Sequence, residues 1–122
     1  MSWGHSVSSD LRTWEHLPVA IPFTPTTGIF SGSAVFDEKN TSGLGTSENP
    51  PLVAIYTVHQ NDESNQSQHI AYSLDDGTSW MKYEGNPVLD LSMKDFRDPK
   101  VSWDVRSNQW VMTRLRSSHH QI

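Results

Sequence analysis

Apolar residues recur with a period of two, and turn residues fill the gaps between them, which leaves short strands as the regular element this chain supports. Ser33-Ala34-Val35-Phe36 reads as one strand. Leu52–Val58 is a continuous apolar and β-branched run, the pattern of a strand buried on both faces. Ile70–Ser73 and Trp80–Tyr83 read as two more, the second with alternating aromatics. Val101–Asp104 and Gln109–Thr113 predict a hairpin across Val105–Asn108. Asn40–Gly45, Asn49-Pro50-Pro51, Asn61–Asn65, Asp75-Asp76-Gly77 and Gly85-Asn86-Pro87 supply the turns. Helical periodicity is absent from every window of ten residues, so the fold class predicted is all-β, built of short antiparallel strands.

At 122 residues the chain is one small domain or a piece of a larger one. Only 34% of it is hydrophobic, close to the range of disordered chains, yet it carries five Trp, four Phe and three Tyr, in which disordered segments are poor. The combination predicts a folded chain with a thin core, or a core completed elsewhere. The 14 acidic residues outnumber nine basic ones, which argues against nucleic acid or an anionic membrane as partner. Apolar runs near 18 residues are missing, so no transmembrane helix is expected. Met1-Ser2-Trp3-Gly4-His5 does not read as a secretory signal. Without cysteine, disulfides and cysteine-based metal or redox chemistry are excluded. His5 and His16 fall in expected strands, His59 and His69 flank a loop, and His119-His120 are consecutive; they make no ligand set, so neither metal nor cofactor is expected. Asp62-Glu63 and Asp75-Asp76 read as turn acids. Asn40-Thr41-Ser42 and Asn65-Gln66-Ser67 read as glycosylation sequons in loops.

The sequence echoes itself. Asp10-Leu11-Arg12-Thr13-Trp14 precedes Pro18-Val19, and Asp76-Gly77-Thr78-Ser79-Trp80 precedes Pro87-Val88, with the tryptophans 66 residues apart. Repeated four-stranded units point to propeller blades. The second copy, Ser73-x-Asp75-x-Gly77-x-Ser79-Trp80, resembles the Asp-box hairpin motif that recurs in propellers. Asp75 is expected to accept backbone N–H bonds, Gly77 to take a positive φ and Trp80 to pack beneath. Trp14, Trp103 and Trp110 are assigned to hairpin packing as well.

Further motifs bring a family into view. Trp3-Gly4-His5-Ser6-Val7-Ser8, Phe30-Ser31-Gly32-Ser33-Ala34-Val35, Asn40-Thr41-Ser42-Gly43, Ile70-Ala71-Tyr72-Ser73 and Phe96-Arg97-Asp98-Pro99-Lys100-Val101 run in the order found in glycoside hydrolase family 32, and the chain resembles it over nearly its whole length. The members are invertases, inulinases and levanases; Trp14–Ala20 and Val53–Thr57 most resemble microbial levanases and exo-inulinases. The resemblance implies residues 1–122 to be a fragment of a five-bladed β-propeller catalytic domain. Trp3–Ile21 would close blade one, residues from about 29 to 88 would make blade two, and residues from about 96 to 117 would begin blade three.

The function implied is release of fructose from β-fructofuranosides (sucrose, inulin or levan) by a retaining mechanism, which needs a nucleophile and a proton donor. The family takes its nucleophile from an N-D-P-N-G type motif upstream of Trp-Gly-His, and its acid/base from an E-C motif downstream of Arg-Asp-Pro. With two residues before Trp3 and no cysteine up to Ile122, both are expected to be absent, and the chain alone to be inactive. By resemblance Asp98 is the third carboxylate, which stabilises the transition state, and Arg97 beside it orients the sugar hydroxyls. Trp3, Phe30 and Ser31 complete the substrate-binding set by the same resemblance. Neighbours in a strand face opposite ways, so Arg97 and Asp98 share a pocket only if the backbone leaves strand geometry there. Pro99 is expected to hold Asp98 extended. Partners implied are a fructose-containing oligo- or polysaccharide and the remainder of the catalytic domain, with secretion as the location. A fructosyltransferase on the same scaffold, or a non-catalytic fructan-binding module, are the alternative readings.

Overall fold

The computed structural model describes residues 1–116, which form nine strands. The expected His119-His120 pair and Ser117, the last residue of the expected blade-three segment, lie outside the described residues. Strands β1 (Trp3–Val7) and β2 (Glu15–Ile21) form an antiparallel hairpin. Strands β3 (Thr27–Phe36), β4 (Leu52–Gln60) and β5 (Gln66–Ser73) form a meander, extended by β6 (Met81–Lys82) and β7 (Leu89–Met93), both of which pair with β5. Strands β8 (Phe96–Asp104) and β9 (Gln109–Arg116) make a second hairpin, turning at Val105–Asn108 as the sequence predicts.

The apolar run of β4 is buried on both faces because a hairpin lies against each. Its even-numbered residues Ala54, Tyr56 and Val58 cluster with Ile29, Ala71 and with Ile21 of the first hairpin, while Trp3, Ala20 and Trp80 pack on this group. Its odd-numbered residues Val53 and Ile55 share an apolar cleft with Val35, Ile70 and Val101 of β8. Side chains alternate along a strand, so one run serves two interfaces.

Several expectations need correction. The strand expected at Trp80–Tyr83 shrinks to Met81–Lys82, because the outermost strand is split. Between its halves the Asn86 side chain takes the strand's place, accepting from the Ile70 N–H and donating to the Ile70 carbonyl, each at 2.8 Å. The other half, β7, carried no sequence signal strong enough to read. β5 begins at Gln66, four residues ahead of the expected strand, so only Asn65 of the sequon Asn65-Gln66-Ser67 lies in the loop, while Gln66 and Ser67 are buried in the strand. Trp14 is 54% exposed and packs little, unlike Trp80, Trp103 and Trp110.

The internal echo is a shared turn. Ser73 Oγ donates to Asp75 and accepts the Gly77 N–H, Asp75 Oδ1 accepts the Ser79 N–H at 2.9 Å, and Gly77 has φ +86°. Ser8 and Asp10 repeat the device in a tighter loop, with Oδ1 of Asp10 accepting the N–H groups of Arg12 and Thr13. Asp75 is held at about 2 by the Ser79 hydroxyl and N–H and by the Ser73 hydroxyl.

Candidate active site

The residues singled out by sequence gather where strands break step. Along β3, Ile29 pairs with Val58 and Gly32 with Tyr56, so Phe30 and Ser31 together stand opposite Thr57 alone. Along β8, Arg97 pairs with Leu115 and Lys100 with Thr113, so Asp98 and Pro99 share one partner position. Each is a β-bulge, which bends a strand and re-aims its side chains. The first hairpin is irregular too, between Trp3 and His5.

Asp98 has φ +58°, in the left-handed region. The expectation that Pro99 holds it extended is therefore wrong, although the expected departure from strand geometry is present. The bulge demands a left-handed residue, and aspartate is among the non-glycine residues that tolerate one. Asp98 is exposed, and among the described residues it enters no ion pair. Arg97 pairs instead with Asp95, itself left-handed at φ 54°, their side chains 34% and 42% exposed. The guanidinium also lies 3.5 Å from Gln66 Oε1.

The bulges are held by side chains in place of ladder bonds. Trp3 Nε1 donates to the Phe30 carbonyl at 2.8 Å, which ties the first hairpin to the first bulge. The Phe30 ring stacks on His59 with centroids 4.9 Å apart, and the Trp3 ring lies 5.8 Å from that of buried Tyr56. Burial pushes the Tyr56 phenol up to about 12, so this floor stays neutral. Gly32 lets β3 lie close on β4: a Cβ there would lie 2.0 Å from the Ile55 carbonyl oxygen. On β8, the Ser33 hydroxyl donates to the Pro99 carbonyl at 3.0 Å and accepts the Val101 N–H at 3.1 Å. Phe96 is clamped by two buried amides of β5: Gln66 Oε1 accepts its N–H at 2.9 Å and Gln68 Nε2 donates to its carbonyl at 2.6 Å. Thr57 Oγ1 accepts the Asp98 N–H at 3.2 Å and donates to Gln68 Oε1 at 2.9 Å.

Two hydrogen-bonded chains thus draw the candidate residues toward the middle of β4: Trp3 to Phe30, and Asp98 to Thr57, the residue facing Phe30 and Ser31. Sequence reasoning missed Ser33, Thr57, Gln66, Gln68 and Asp95. Its available signal was a polar Gln-x-Gln on one strand face beside a threonine in an otherwise apolar run. Among the described residues no group of three or more His, Asp or Glu is placed to hold a metal.

The description glycosyl hydrolases family 32 N-terminal domain matches residues 1–121. The chain belongs to glycosyl hydrolase family 32. A levanase of Bacillus subtilis strain 168 is 58% identical over 113 residues, covering 92% of this chain and 16% of that protein. An extracellular exo-inulinase of Meyerozyma guilliermondii is 48% identical over 124 residues, covering 98% of this chain and 24% of that one. The β-fructofuranosidase of Schwanniomyces occidentalis, solved with fructosyl-erythritol, superposes with a TM-score of 0.84 at 50% identity, over 93% of this chain and 22% of that structure. The chain therefore spans less than a quarter of the length of these family 32 relatives. The three all-β sheets match part of a β-propeller enzyme of this family.

Proposed function

We propose that these residues are part of the catalytic propeller of a β-fructofuranosidase that releases fructose from sucrose, inulin or levan with retention of configuration. The observation that carries the reading is the left-handed, exposed Asp98 in the β8 bulge, tied through Thr57 to the strand position facing Phe30 and Ser31.

Asp98 offers two carboxylate oxygens as acceptors for neighbouring sugar hydroxyls, and its negative charge favours the oxocarbenium character that develops as the glycosidic bond breaks. Arg97, anchored by Asp95, keeps N–H donors for the same sugar. Ser31 adds a hydroxyl, and Trp3 and Phe30 add aromatic faces. The 122 residues hold neither an N-D-P-N-G nor an E-C motif, so bond cleavage is assigned to carboxylates of the whole protein that these residues do not include. The substrate class rests on the levanase and exo-inulinase relatives, and secretion on the one named extracellular.

The test is fructose release by the full-length protein. Asp98→Asn, which keeps the left-handed backbone accessible, lowers kcat by roughly 10²- to 10³-fold while leaving the melting temperature nearly unchanged. A full-length protein that releases no fructose from any of the three substrates refutes the reading. So does an Asp98→Asn enzyme of wild-type rate.

A further inference from the structure

We infer that Thr57 is a positioning residue for the reaction, the link through which blade two fixes the backbone of Asp98; the inference rests on the role proposed above for Asp98.

The Phe96 carbonyl can only accept, so it fixes the NH₂ end of Gln68 toward itself, at 2.6 Å. The Gln68 oxygen then faces Thr57 and can only accept. Thr57 must donate its one hydroxyl proton there, at 2.9 Å, which leaves its lone pairs for the Asp98 N–H at 3.2 Å. Phe96 carbonyl, Gln68, Thr57 and Asp98 N–H thus form a relay in which every proton has a single place. Thr57 and Gln68 are fully buried and directly paired across β4 and β5. Neither touches solvent, so water does not compete for the relay. A strand position in the middle of an apolar run would ordinarily be Val or Ile, and here a hydroxyl stands in their shape.

The consequence falls on geometry. A left-handed aspartate before proline is an unfavourable conformation that surrounding contacts must hold. Its N–H is anchored by Thr57, and the residue after it by Ser33 through the Pro99 carbonyl. Thr57 also stands opposite Phe30 and Ser31, so one residue meets both bulges, the first through its backbone register and the second through its side chain. Removing its hydroxyl frees Asp98 to leave the left-handed region and misplaces the carboxylate without touching the sugar directly.

The experiment is a Thr57 series in the full-length protein. Thr57→Val keeps the shape and removes both bonds, and it lowers kcat for fructose release by roughly ten- to hundred-fold with little change in KM, the signature of a misplaced transition-state group. Thr57→Ser restores the hydroxyl and recovers most of the rate. If Thr57→Val does not fold, Thr57→Cys, with a thiol that is a weaker donor and acceptor, shows an intermediate kcat. Amide exchange at Asp98 is the second readout: slow in the wild type and faster in Thr57→Val. A valine enzyme with wild-type kcat overturns the inference, as does a serine enzyme as impaired as the valine one. A wild type that releases no fructose refutes the proposed function, and the relay then stands or falls on exchange alone. Rapid exchange at Asp98 in the wild type overturns it.

Discussion

Among single residues, His69 is the one whose surroundings most change its acid–base behaviour. It lies half-buried on β5, with the Tyr56 ring 6.1 Å away and Ser67 Oγ 3.0 Å from Nε2. Burial, reinforced by the nearby Lys82 charge and only partly opposed by Asp90, lowers its pKa from 6.5 to about 4. Between those two values the unfolded chain takes up a proton that the folded chain refuses. Stability from a neutral His69 is therefore complete above about 6.5 and drains away as the pH falls toward about 4. By pH 5 the loss is on the order of 2 kcal/mol. Melting temperatures of wild type and His69→Gln at pH 7.5 and pH 5 measure it. The wild type drops further than the variant, and parallel drops would show that His69 titrates normally.

For single elements, the bulges do more than the strands that contain them. A regular β3 would turn Phe30 and Ser31 to opposite faces, and a regular β8 would do the same to Arg97 and Asp98. Gly32 is what lets the β3 bulge lie so close to β4. Gly32→Ala puts a methyl group 2.0 Å from the Ile55 oxygen and 2.6 Å from the Tyr56 Cα, both backbone atoms that cannot swing aside. The change costs about 3 kcal/mol, and chemical denaturation of the full-length protein measures it. A loss under about 0.5 kcal/mol would mean that β3 shifts at no cost. Elements of this kind explain what could be read from sequence. The runs at Leu52–Val58, Val101–Asp104 and Gln109–Thr113 announced their strands through alternation and β-branching, and Ser73–Trp80 announced its turn through residues fitted to it. Asp98 and Phe30-Ser31 were singled out through family motifs, but the conformation of Asp98 was not legible. Local preference before proline favours extended backbone, and the bulge is imposed by bonds to Thr57 and Ser33, distant in sequence. β7 and the start of β5 were hidden for the same reason, since Gln66 and Gln68 look like loop residues until β8 arrives to use their amides.

On the scale of the whole molecule, the three sheets are unequal. β4 is paired on both edges, by β3 and β5, and packed on both faces; β5 is paired by β4 on one side and by β6 and β7 on the other. The hairpins β1–β2 and β8–β9 are two-stranded sheets, a form marginal in water by itself. Each holds on by one face: the first through Trp3 and Ile21, the second through Val101, Phe96 and the polar bonds to Ser33, Thr57, Gln66 and Gln68. Their outer faces leave Val19, Val111 and Leu115 between 42% and 57% exposed, apolar area that stabilises nothing within these residues. Local opening free energies therefore rank by sheet. In the 122-residue chain taken alone, amides of β4 and β5 exchange slowest, those of both hairpins exchange faster, and unfolding is not one cooperative step. Hydrogen exchange resolved strand by strand measures the order. Uniform protection across all nine strands would show that the hairpins are as firmly held as the meander. Because Asp98 stands on the second hairpin and Trp3 on the first, the same ranking predicts that the site is the first part of the isolated chain to open, before β4 and β5 lose any of their bonds.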